Sequence, residues 1–133
     1  LASAAFGPVC APDYPWAPPQ GGRLHLPCRI GHDFTTSAWD QWMAAAGIAV
    51  DWDEERSFPH THLCLEAALT GVGVALVEQR MAADDLTAGR LRAPLGFQPF
   101  PHGLAAIPTG EGGLSPQAAD FISWLRAALS AAM

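Results

Sequence analysis

His62-Leu63-Cys64-Leu65-Glu66-Ala67-Ala68-Leu69-Thr70-Gly71-Val72-Gly73-Val74-Ala75-Leu76-Val77 is the stretch that decides the fold. His62 to Thr70 is a run of helix-compatible residues closed by Gly71, and glycine is the residue best suited to ending a helix. Val74 to Val77 then forms an unbroken apolar run, short and bounded by glycine, as a strand buried on both faces requires. Upstream, Glu54 to Phe58 predicts a brief strand, and Pro59-His60-Thr61 a turn into the helix. Downstream, Glu78 and Gln79 end the second strand, and Met81 to Ala88 predicts a short helix stopped by Gly89. Strand, turn, helix, glycine and buried strand make a parallel crossover unit, so the expected class is an α/β sandwich with a mostly parallel sheet.

The flanking sequence extends the same pattern. Ala5 to Cys10 predicts a short strand ending at Ala11-Pro12. From Asp13 to Arg23, Pro15, Pro18 and Pro19 with Gly21 and Gly22 deny both helix and central strand, because proline lacks an amide donor and fixes its own torsion. Leu24 to Ile30 is a weak strand candidate interrupted by Pro27. Thr36-Ser37 before Ala38 to Ala46, with Trp39, Trp42, Met43 and Ala46 at helical spacing and Gly47 behind them, predicts a helix opened by a hydroxyl cap. Ile48 to Asp53 reads as a turn. Leu91 to Leu95 and Leu104 to Ile107 predict two further short strands, and Ser115-Pro116 opens a final helix whose apolar stripe includes Phe121, Ile122, Trp124, Leu125 and Leu129.

Composition excludes several roles. The chain has 133 residues, 50% of them hydrophobic, which suits one domain with a core rather than a disordered segment. Seven basic residues, all Arg and all scattered, stand against thirteen acidic ones and a net charge of -6. A nucleic-acid surface needs clustered cations to displace counterions, so this chain alone is not expected to bind DNA. No apolar run reaches the roughly 18 to 20 residues of a membrane span, so no membrane partner is expected. Three cysteines without a Cys-x-x-Cys pair fit neither a disulfide scaffold nor a zinc knuckle; reduced, buried thiols are expected and no metal or cofactor. No Gly-x-Ser-x-Gly, His-Glu-x-x-His or phosphate-binding glycine loop occurs, and Gly71-Val72-Gly73 lies between helix and strand, the wrong order for a dinucleotide site. No enzyme is expected. The paired acids Glu54-Glu55 and Asp84-Asp85 read as solvated surface. The chain opens on Leu1 without a basic segment ahead of an apolar one, so a signal peptide is not expected and an upstream part is expected to be missing.

Phe58 to Val77, followed by Met81-Ala82-Ala83-Asp84-Asp85-Leu86-Thr87-Ala88-Gly89-Arg90-Leu91, resembles the effector-binding domain of LysR-type transcriptional regulators at both of its recurrent segments and at their separation. Pro8-Val9-Cys10-Ala11-Pro12 is similar to the family's strand end. Trp39 and Trp42 ahead of Ala-Ala-Gly, with the closing Trp124-Leu125, resemble the branch that includes the glycine-cleavage activator and the β-lactamase regulators. The resemblance implies a Rossmann-like three-layer sandwich of the periplasmic-binding-protein-like type 2 kind. It divides the chain into residues 1–108, the second regulatory subdomain, and residues 109–133, a C-terminal helix returning to an absent first subdomain. It also implies a cytoplasmic homodimer that senses a small molecule in a cleft between subdomains and reaches DNA only through an N-terminal helix-turn-helix outside this chain. The competing expectation is a solute-binding protein of the periplasmic type, which shares the architecture.

Ligands in such folds sit near strand ends and helix N-termini, where free amides favour an anion. The opening at Pro59-His60-Thr61 is the best such place, and by the resemblance His60 or Thr61 occupies an effector-contacting position. Thr61 is equally readable as a plain cap, worth about 1 kcal/mol, and His60 and His62 as turn histidines. His60 and Cys64, four apart, are at most half of a metal site. Asp33 and Phe34, after Arg29 to His32, are expected either at the cleft or in ordinary loop packing. His102, beside Phe100 and Pro101, is expected where the chain crosses back through the hinge, lining the effector cleft. Trp39 and Trp42 are expected in the core or at a subunit interface.

Overall fold

In the structure, a computed structural model, residues 1–32, 37–101, 103–107, 110 and 112–131 are described. Nine elements follow one another: β1 (Ala5–Val9), β2 (Arg23–His32), α1 (Ala38–Ala46), β3 (Ala49–Phe58), α2 (Thr61–Leu69), β4 (Val74–Glu78), α3 (Gln79–Thr87), β5 (Gln98–Pro99) and α4 (Pro116–Ala131). One five-stranded sheet has the order β3-β2-β4-β1-β5. β2 is parallel to both β3 and β4, whereas β1 is antiparallel to β4 and to β5. The sheet is therefore mixed rather than mostly parallel, because β1 arrives from outside the two crossover units and runs against them.

The crossovers β2-α1-β3 and β3-α2-β4 step in opposite directions across the sheet, so right-handed connections place α1 and α2 on opposite faces. The core divides accordingly. Val74 packs with Trp39 and Trp42 of α1, while Ala75 and Val77 pack with Cys64, Ala67 and Ala68 of α2. This alternation along β4 is the period of two that a strand covered on both faces requires. Both tryptophans are in the core, as their spacing predicts, and Cys10, Cys28 and Cys64 are free and buried. Gly47 (φ 69°) ends α1 with its N–H donating to the Met43 carbonyl, also as expected. Ser37 holds the cap position of α1 but its side chain makes no capping hydrogen bond; its Oγ accepts instead from Gln41 Nε2 at 3.2 Å.

β2 and β3 are both longer than their sequences suggest. Pro27 does not break β2: pairing with β3 runs through Leu26↔Trp52 and resumes at Cys28↔Glu54. Leu24 and Leu26 join the α1-side core, but Ile30, of the same parity, joins the α2-side core. The strand thus changes face across Pro27-Cys28, where proline removes a donor from the ladder. β3 begins at Ala49 instead of Glu54 because cross-strand pairs hold its polar start to β2, including Arg23–Asp51 at 3.3 Å. His25 bridges Asp51 through Nδ1 and Asp53 through Nε2, the latter at 3.1 Å.

Two expected strands are absent. Residues 91–95 contribute one isolated bridge, Cys10↔Arg92, and residues 104–107 another, Ala2↔Leu104. Pro94 cuts the first, and in the second only Leu104 finds a pairing partner, with Ile107 84% exposed. The short β5 pairs with β1 instead. α4 opens as expected, with Ser115 Oγ accepting from the Ala118 amide at 3.1 Å, yet none of its residues is buried, and Phe121 and Trp124 stack on one another in the open.

One buried ion pair ties these parts together. Arg80 Nη1 donates to Glu78 Oε1 at 2.6 Å and the Arg80 amide donates to Glu78 Oε2 at 2.7 Å, which caps α3. The same guanidinium donates to the Ser3 carbonyl (3.0 Å), just ahead of β1, and to the Leu129 carbonyl (3.3 Å), near the end of α4.

Arg80→Met is expected to lower unfolding stability by about 3 kcal/mol, because it strands a buried carboxylate; a urea melt measures it, and a change no larger than that of the exposed Arg56→Met refutes the importance of the pair. Hydrogen bonds donated by His25 to Asp51, then Asp53, hold the His25 pKa above its ordinary value, and His25 in turn lowers that of Asp51. The His25 contribution is therefore complete below roughly pH 6.5 and lost as pH rises through its raised value, while that of Asp51 is lost as pH falls through its lowered value, below roughly 3.9. NMR titration should place the His25 midpoint above 6.5 and Asp51→Asn should move it back down; a wild-type midpoint at or below 6.5 contradicts the bridge.

Candidate functional site

The C-terminal ends of parallel strands expose carbonyls and lead into helix N-termini, so polar groups converge there by topology alone. Here β2 ends at His32, β4 at Glu78, and α2 opens at Thr61. These three side chains line one cavity of about 270 Å³, closed by Ala4 and Phe6 of the first strand region, Ala38 at the start of α1, Leu76, Met81 and Leu104. A larger hollow of about 420 Å³ lies against α4, between Ile107, Leu114, Phe121 and Ile122. Among the described residues its lining has no charged group and no strand end, so the smaller cavity is the better candidate.

The end of β2, just ahead of His32, is held by two side-chain donors from opposite faces of the sheet. Trp39 Nε1 of α1 donates to the Ile30 carbonyl at 3.0 Å, and Cys64 Sγ of α2 donates to the Gly31 carbonyl at 3.4 Å. Each helix is thereby registered against the last turns of β2, immediately before His32. Gly31 suits this crowding, since a Cβ there would stand 3.1 Å from Ser57 Oγ on β3.

α2 opens one residue earlier than a threonine cap would place it. His60 is the cap residue, in extended conformation, and its imidazole makes no capping bond. Its carbonyl accepts from the amides of Leu63 (3.1 Å) and Cys64 (3.3 Å). Thr61 is therefore the first helical residue, not the cap, and its side chain borders the cavity. His60 is exposed, stacked on His62 with ring centroids 5.5 Å apart, and is not among the residues lining the cavity. The amides of Thr61 and His62 precede the first of these helical bonds, as is general for helix starts. Asp33, Phe34 and His102 lie outside the described residues, as does Thr36. Cys64 is buried behind Gly31 and exposed His60 is on the surface, and among the described residues no three His, Cys, Asp or Glu side chains are grouped to hold a metal ion.

His32, Leu76, Glu78 and Met81 escape the sequence reading of the site. The sequence signal for Glu78 is a carboxylate directly after a buried apolar run, two residues before an arginine. That position is the C-terminal end of a parallel strand, where function concentrates in open α/β sheets.

The family described as "LysR substrate binding domain" matches residues 1–130. The HTH-type transcriptional regulator TrpI of Pseudomonas aeruginosa is 38% identical over 95 residues, covering 70% of this chain and 32% of that protein. The HTH-type transcriptional regulator DsdC of Escherichia coli is 26% identical over 129 residues, covering 90% of this chain and 42% of that protein. The chain thus spans well under half the length of these relatives. Among solved structures, the effector domain of the transcriptional regulator AmpR of Pseudomonas aeruginosa is similar in fold, with a TM-score of 0.68 at 24% identity, covering 94% of this chain and 60% of that one. Among the described residues, no helix is long and apolar enough to cross a membrane.

Proposed function

The chain belongs to the family of LysR substrate-binding domains, and from that membership and the cavity at the strand ends we propose that it senses a small-molecule effector on behalf of a transcriptional regulator. The observation that carries this reading is the convergence of His32, Thr61 and Glu78 on one cavity at the ends of β2, α2 and β4. At about 270 Å³ the cavity suits one wall of a cleft whose other wall belongs to a second subdomain. Residues 1–108 are then the second regulatory subdomain and residues 109–133 the helix that returns to the first. The exposed Phe121 and Trp124 fit that role, because an apolar helix side of this kind is rarely left open to water.

Thr61 and the first amides of α2 are the groups that take an anionic part of the effector. In this reading His60, next to Thr61 in the chain, and Asp33, Phe34 and His102, neighbours in sequence of His32 and Leu104, complete the contact set. The chain has no catalytic role in this reading. Effector binding biases subdomain and dimer geometry, and a helix-turn-helix outside this chain reports it to DNA. The regulator works as a homodimer in the cytoplasm. The periplasmic solute-binding alternative is disfavoured because the relatives named above are regulators.

The test is an effector screen on the full-length regulator with His60→Ala and Thr61→Ala variants, read by calorimetry. Thr61→Ala should weaken binding about tenfold, close to 1.4 kcal/mol, with His60→Ala the smaller effect. Unchanged affinity in both variants places the effector elsewhere.

A further inference from the structure

We propose that Glu78 makes this cavity selective for effectors bearing a protonated amine, placed away from the group that meets α2; the inference rests on the effector-site reading above. Among the described residues, those that line the cavity apart from His32, Thr61 and Glu78 are apolar, including Phe6, Leu76 and Met81. Glu78 is only 9% exposed, so what little solvation its carboxylate has depends on what fills the space beside it.

The carboxylate is half satisfied by the protein. It offers about four lone-pair sites, and two receive donors: Oε1 from Arg80 Nη1 at 2.6 Å and Oε2 from the Arg80 amide at 2.7 Å. Arg80 itself is not part of the cavity wall, and its guanidinium also serves the Ser3 and Leu129 carbonyls. The cavity is therefore bordered by the acceptor end of the ion pair and not by the donor end. A ligand that fills it displaces water from the remaining lone pairs. An ammonium group replaces those hydrogen bonds with charge-assisted ones. A carboxylate or phosphate at the same point replaces them with like charge, and a methyl group leaves them empty. Thr61, the first residue of α2, lies in the same cavity lining and supplies the opposite preference. An effector suited to both ends is amphoteric, with its amine toward Glu78 and its acceptor group toward Thr61.

Three probes of matched apolar body separate these possibilities: phenethylamine, 3-phenylpropionate and 3-phenylpropanamide. Each is titrated into the full-length regulator and followed at the methyl resonance of Met81, which borders the cavity. Phenethylamine should bind at least tenfold more tightly than 3-phenylpropionate, and Glu78→Gln should bring the ratio of the two affinities to within about twofold. Glu78→Asp, which keeps the charge, should retain the preference, and serves as the variant of record if Glu78→Gln unfolds by circular dichroism. Equal or tighter binding of the propionate by the wild type overturns the amine selectivity while leaving the cavity as the effector site. Failure of all three probes to move the Met81 signal overturns both.

Discussion

The Glu78–Arg80 ion pair is the constraint on which the rest of the structure depends. Two charges at about one-tenth exposure are costly to bury, and such a pair persists only where further hydrogen bonds complete it. Those bonds are structural joints. One caps α3, one holds the residue ahead of β1, and one holds the end of α4. The pair therefore sits where the central strand, the arriving strand and the last helix meet, and its carboxylate borders the candidate cavity. The proposed recognition would thus use a side chain that also holds the fold together, so Glu78 cannot be altered without a consequence for the fold.

A second device fixes the end of β2 that leads to His32. Trp39 and Cys64 approach β2 from opposite faces and donate to consecutive carbonyls, those of Ile30 and Gly31. A strand covered on both faces has no solvent to satisfy stray acceptors, so its end is fixed by whatever donors the helices bring. The change of face across Pro27-Cys28 makes this possible, because it puts Ile30 on the side of α2 after Leu24 and Leu26 have served α1. A proline that looks like an interruption in the sequence is the point at which one strand comes to serve two cores.

Much of this was legible before any coordinates. Phe58 to Val77 dictates a crossover unit, Gly47 and Gly71 stop helices where they stand, and Ser115-Pro116 opens α4. The failures have specific causes. β3 was hidden because its first half is polar, and what holds it is ion pairing to β2 across a register the sequence does not display. Residues 104–107 are apolar enough for a strand, yet a strand needs a neighbour, and only Leu104 finds one at Ala2. Thr61 looked like a cap because hydroxyl residues favour that position; the extended conformation of His60 moves the cap back by one and leaves Thr61 beside the cavity.

The sequence by itself determined the class of fold, the family and the opening of α2 as the place to look, because these rest on local periodicity, glycine and proline positions and a motif contiguous in the chain. Only the tertiary structure decided which polar side chains share a cavity. Thr61 lies 29 residues after His32 and 17 before Glu78, and nothing local marks them as neighbours. They meet because β4 inserts beside β2 after a crossover through α2, and strand order in a sheet is a property of packing, not of any one segment.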